Sequence, residues 1–196
     1  MENHTVTWKI TIDTGDFMQN TVLKLNKDDK FLLALKWRHE KKSKKPDINL
    51  IAIMLDKNRK LLSKNDFIFY NNLTSKNGAL FHTGDNISGN GVNDNETILV
   101  NLSKIPQNIK YIRFSVLNSC DSKFSEKISY RIAKMKDIFD NQGSDIYNYN
   151  FEDNNFFIYF LVEIERQDDD FYIYVKNKKI HTTLAQVLSR YDIQLE

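Results

Sequence analysis

Ile48-Asn49-Leu50-Ile51-Ala52-Ile53-Met54-Leu55 is a run in which only Asn49 carries a polar side chain. So continuous an apolar stretch reads as a β-strand buried on both faces. The chain on either side of it alternates instead. Upstream, Phe31, Leu33, Leu35 and Trp37 recur at every second position with small or apolar residues between them. Further upstream, Val6, Trp8, Ile10 and Ile12 alternate with Thr5, Thr7, Lys9 and Thr11. A period of two marks a strand with one wet face. Downstream, Phe67 to Tyr70 is a short aromatic strand. Ile98, Val100 and Leu102 then alternate with Thr97, Leu99 and Asn101, and Ile112, Phe114 and Val116 with Tyr111, Arg113 and Ser115. Tyr130 to Met135, Phe156 to Val162 and Phe171 to Val175 complete the set.

Turn chemistry punctuates these runs at Asp56-Lys57-Asn58, Lys76-Asn77-Gly78, Pro106-Gln107-Asn108 and Asp140-Asn141-Gln142-Gly143, and Asp168-Asp169-Asp170 reads as a hairpin turn. Many short strands at this spacing predict a mainly all-β fold, a two-sheet β-sandwich. Helix is expected in two short places. Leu184, Val187, Leu188 and Tyr191 fall at helical spacing behind Thr182 and Thr183 as candidate caps, and Phe124 to Ile128 forms a second short segment.

The 196 residues suit one domain spanning 1–196, long enough to bury a sizeable core. With 13 Phe and 9 Tyr, the aromatic content favours sheet. The 28 basic and 26 acidic residues leave a net charge of +2, which supplies no global field for nucleic acid, so no nucleic-acid partner is expected. Cys120 is the single cysteine, which rules out an intrachain disulfide and fits a reducing compartment. No signal-peptide pattern opens the sequence and no apolar run is long enough to span a bilayer, so a cytoplasmic protein is expected.

Chemistry concentrates between His82 and Glu96. Three of the six glycines (Gly84, Gly89, Gly91) fall there, with Asp85, Asn86, Asn90, Asn93, Asp94, Asn95 and Glu96. Glycines let the backbone turn sharply and aim carbonyls inward, and the carboxylates and amides are the oxygen donors that a hard cation such as calcium takes. The spacing is not that of an EF-hand. Zinc is disfavoured because Cys120 and the four histidines are scattered. A plain Asn/Gly/Asp-rich surface loop explains the composition equally well. Gly89-Asn90-Gly91 imitates only part of a dinucleotide fingerprint, and His82 with Asp85 lacks a nucleophile elbow.

A resemblance sharpens this. Asp66-Phe67-Ile68-Phe69-Tyr70-Asn71-Asn72, then Ser75-Lys76-Asn77-Gly78, then His82-Thr83-Gly84-Asp85-Asn86-x-x-Gly89-x-Gly91 and Asp94-x-Glu96 resemble the signature of the TerD family. Pro46-Asp47-Ile48-Asn49 is similar to that family's Asp-Leu-Asp element, and Trp37 to the tryptophan of its Gly-Trp element. The resemblance implies a calcium-bound β-sandwich without catalysis, acting in tellurite and general stress resistance alongside other tellurium-resistance cluster proteins. It implies a ligand set of Asp47, Asn49, Asn71, Asp85, Asn86, Asp94 and Glu96, with backbone carbonyls near Gly89 and Gly91. The chain departs from the family where Asn49 replaces an aspartate and where Val92, Asn93 and Asn95 thin an acidic tail. Fewer formal charges imply weaker calcium binding. Two alternatives follow: a structural or assembly protein of the same fold with weakened or lost calcium binding, and a module that associates with membrane surfaces in the presence of calcium through the basic run 41–45.

Overall fold

A computed structural model describes residues 21–37, 48–85, 94–118, 127–137, 143–151, 156–180, 186–187 and 189. Two antiparallel sheets face each other. In chain order the strands are β1 (Val22–Asn26), β2 (Lys30–Trp37), β3 (Ile48–Leu55), β4 (Phe67–Ile68), β5 (Leu80–His82), β6 (Glu96–Asn101), β7 (Tyr111–Asn118), β8 (Ile128–Met135), β9 (Ser144–Asn150), β10 (Ile158–Gln167) and β11 (Asp170–Ile180). One sheet runs β1-β11-β10-β7-β3-β4 and the other β5-β6-β2-β8-β9. The expected two-sheet sandwich is the fold.

The apolar run 48–55 is β3, and every one of its residues is buried. Its even-numbered side chains, Ile48, Leu50, Ala52 and Met54, enter the main core between the sheets. Ile51, Ile53 and Leu55 join Phe67 in a second cluster on the opposite face, against which Leu61, Tyr111 and Val187 pack. A strand covered on both sides needs no polar alternation. The main core is aligned by parity: Phe31, Leu33, Leu35 and Trp37 of β2 meet Ile112, Phe114 and Val116 of β7, with Phe31 and Phe114 edge to face across the sandwich at 6.4 Å. Each such buried ring stabilises the fold by roughly 1.5–3 kcal/mol.

The β8–β9 side is closed against β10 and β11 by aromatic rings. Tyr130, Tyr149, Phe151, Phe156 and Tyr159 stack and tilt on one another. Asn177, at φ 41, ties their hydroxyls together. It accepts the Tyr130 hydroxyl at 2.7 Å and donates to Tyr147 at 2.9 Å, and its carbonyl takes the Tyr159 hydroxyl at 2.9 Å.

The expected turns at 56–58, 76–78, 106–108 and 168–169 fall where turn chemistry places them, and residues 140–142 of the remaining one lie outside the described residues. Asp56 Oδ1 accepts the N–H groups of Asn58 and Lys60. Asp168 and Asp169 join β10 to β11, with Asp168 at φ 54. The motif Ser75-Lys76-Asn77-Gly78 folds on itself, Ser75 Oγ accepting from Ala79 and Leu80 and Gly78 sitting at φ 66. Ile128 differs from expectation: it opens β8 and is buried in the core rather than ending a helix, because the period-two pattern of β8 reaches it. Residues 124–126, the expected strand 5–12, the basic run 41–45 and Cys120 lie outside the described residues. At the C-terminus Gln186, Val187 and Ser189 are helical, and Thr182, Thr183, Leu184, Leu188 and Tyr191 of the expected helix lie outside the described residues.

Candidate metal centre

β5 and β6 pair through Leu80–Val100, Phe81–Leu99 and His82–Ile98, so residues 83–95 form the connection between them. The two residues at its base, His82 and Glu96, are both 0 % exposed. Parity puts them there. Leu80 and His82 point into the sandwich while Phe81 points out, and Glu96, Ile98 and Val100 point in while Thr97 and Leu99 are partly exposed. The backbone closes beside them, with the Thr83 N–H donating to the Thr97 carbonyl at 2.9 Å.

Glu96 reaches the other sheet. β4 is so short that it pairs with β3 only at Ala52 and Ile53. On the edge it leaves uncovered, the Leu50 N–H donates to Glu96 Oε2 at 2.7 Å. That N–H belongs to the peptide joining Asn49 to Leu50, so the carboxylate is fastened where the buried Asn49 side chain starts. Asn49 occupies the β3 face of Ile51 and Ile53, opposite to Leu50, because side chains alternate along a strand. Asn49 is therefore next in sequence to the Leu50 N–H that holds Glu96, with its side chain on the other face of β3.

His82 completes the base. Its Nε2 lies 3.4 Å from Glu96 Oε2. Its Nδ1 accepts the Gly84 N–H at 3.1 Å. Gly84 makes this return possible at φ 114, a conformation that side chains beyond glycine rarely adopt.

Asp85 and Asn71 are exposed, Asn71 in the turn that Phe69 and Asn72 close by mutual backbone hydrogen bonds. Asp94 turns outward to Arg131, its Oδ2 accepting from Nε at 3.0 Å and Nη2 at 2.8 Å. There it lines an open groove of about 320 Å³ with Lys36, Ser129, Asn148 and Asn150 on the outer face of the five-stranded sheet. Asn95 is buried and holds the end of β2, its Oδ1 accepting the Trp37 N–H at 2.7 Å. Asp47, Asn86, Gly89 and Gly91 lie outside the described residues. Among the described residues no three His, Cys, Asp or Glu side chains cluster as a complete metal site. The donor chemistry suits a hard cation all the same: a dehydrated carboxylate needs a positive partner, and amide and carboxylate oxygens are what calcium takes.

Sequence reasoning missed His82 and Asn95 as working parts. Leu80-Phe81-His82 is too short to show alternation alone. Its signal was parity with Leu80, a buried residue two positions back.

An antiparallel two-sheet β-sandwich with a carboxylate buried where its sheets meet is the class that the fold defines. The comparisons give the class a family. The TerD domain model matches residues 16–191, and the chain belongs to the TerD family. General stress protein 16U of Bacillus subtilis (strain 168) is 46% identical over 70 residues, 36% of each chain. Tellurium resistance protein TerD of Serratia marcescens is 43% identical over 70 residues, again 36% of each. This chain thus spans little more than a third of the length of these curated relatives. A crystal structure of a telluride resistance protein (TerD) homologue from Streptomyces coelicolor A3(2) superposes with a TM-score of 0.64 at 10% identity, covering 81% of this chain and 94% of that one. At that identity the match speaks for the fold. Among the described residues no helix is long and apolar enough to cross a membrane.

Proposed function

We propose that this chain is a calcium-binding module of tellurium and general stress resistance, working by binding or scaffolding rather than catalysis, with other proteins of a resistance cluster as its partners. The observation that carries the reading is Glu96, a fully buried carboxylate at the end of the 83–95 connection, bonded to the Asn49–Leu50 peptide of the opposite sheet. Glu96 anchors the set among the described residues, with Asp47, Asn49, Asn71, Asp85, Asn86 and the carbonyls of Gly89 and Gly91 as the remaining candidates. Asp94 serves Arg131 and drops out of the set. Bound calcium would neutralise Glu96 and tie the connection to β3.

A second reading, a scaffold of the same fold with weakened calcium binding, draws on the same pair of neighbours: Asp94 is committed to Arg131 and Asn95 to Trp37. Titration calorimetry of the metal-free protein with calcium and with magnesium separates them. The calcium module gives saturable heat with calcium, weaker or none with magnesium, and loss of that heat in Glu96→Gln. Identical flat traces for wild type and variant leave the scaffold.

A further inference from the structure

We infer that His82 is a positioning residue for the Glu96 carboxylate, holding it and the first turn of the 83–95 connection in register for a cation. The inference rests on the calcium reading above and extends it to a residue that offers no oxygen.

The ring is a bridge with defined ends. Nδ1 accepts the Gly84 N–H at 3.1 Å. A ring nitrogen that accepts carries no proton, so in the neutral imidazole the proton sits on Nε2. Nε2 faces Glu96 Oε2 at 3.4 Å, about half an ångström beyond the usual N–H···O separation of about 2.9 Å. It is buried and has no hydrogen-bond partner among the described residues. A buried N–H is seldom left unpaired, and the carboxylate proposed as a ligand lies beside this one, 3.4 Å away and off the N–H axis. A small reorientation of the ring and the Glu96 carboxylate toward each other completes the bond.

The contacts then run unbroken from Leu50 of β3 to Glu96, to His82 and to Gly84, the residue before Asp85. Both ends of the connection are thereby referred to one point. Outer partners of this kind orient first ligands and change metal affinity by about 10–100-fold when removed.

The test compares calcium affinity by calorimetry in wild type, His82→Gln and His82→Phe, with metal-free melting temperatures alongside. Glutamine keeps a donor near the Nε2 position, whereas phenylalanine keeps the volume and removes both polar atoms. Phenylalanine should weaken calcium binding by about 10–100-fold and glutamine should recover most of that loss. A merely structural ring would lower the metal-free melting temperature and leave the affinity alone. His82→Phe binding calcium like wild type, or His82→Gln binding as weakly as His82→Phe, overturns the inference while the calcium reading stands. A wild-type protein that takes up no calcium overturns both. Should the phenylalanine variant not fold, long-range ¹⁵N–¹H correlations of the wild-type ring decide: the Nε2–H tautomer is expected, and the Nδ1–H tautomer refutes the bridge.

Discussion

Glu163 has little access to water, and burial alone would push its carboxyl toward neutrality. The Arg59 guanidinium at 2.6 and 3.0 Å and the Arg113 guanidinium at 2.8 Å outweigh that and hold it below the usual carboxylate range. Arg59 in turn lies 4.0 Å over the Tyr111 ring. A depressed carboxyl stabilises the fold above its unfolded pKa of about 4.3, and that contribution is lost as pH falls through the folded value. Glu163→Gln should cost about 2 kcal/mol near neutrality, below the ~3–5 of a fully buried pair because half-exposed Arg59 re-solvates. Urea unfolding from pH 7 to pH 3 checks this, and the gap between wild type and variant should close on acidification. At this scale the sequence was legible by type and silent on burial. Asp85 and Glu96 look alike as loop carboxylates, yet one is exposed and the other has no contact with water. The difference is set by the parity of β6 and by the shortness of β4, which no single residue announces.

Elements announced themselves when one face was apolar and long enough to count. β2, β3, β6, β7, β8, β10 and β11 all lie over runs that alternate or stay apolar. β1, β5 and β9 did not stand out, and all three end a sheet in the described strand order. β9 reads Ser-Asp-Ile-Tyr-Asn-Tyr-Asn, mostly exposed, and its register slips against β8 between Ile132 and Ala133, which breaks the period. Gly143 makes that pairing possible. It sits at φ 58 immediately before β9, and a Cβ there would stand 2.9 Å from the Lys134 carbonyl and 3.0 Å from the Ala133 side chain. Gly143→Ala should therefore destabilise the protein by about 1–3 kcal/mol, combining a left-handed conformation with a backbone clash. Chemical denaturation gives the number, and hydrogen exchange should place the weakening at β8 and β9. An unchanged midpoint would mean that the β8–β9 junction moves without cost.

Across the whole molecule the two sides of the sandwich differ. Where β8 and β9 meet β10 and β11, tyrosines and Asn177 satisfy one another's hydrogen bonds. Where β3 meets β6, the buried groups are ionisable or left unpaired: Glu96, the His82 Nε2, the Trp37 Nε1 and the Asn95 Nδ2. A core that leaves polar groups unpaired on one side, among the described residues, departs from the rule that buried donors find acceptors, and such departures gather at functional sites. The sequence carried the sandwich and the segment 82–96 in plain view. It could not show that Asp94 turns outward while Glu96 turns inward, because the choice depends on Arg131 of a strand far along the chain. The most direct test is the electron density of crystals grown in millimolar calcium. A calcium ion with a Glu96 oxygen at about 2.3–2.6 Å and ligands from β3 and the 83–95 connection is the predicted result. Density that shows Glu96 bonded only to protein groups, with no ion beside it, would contradict the account.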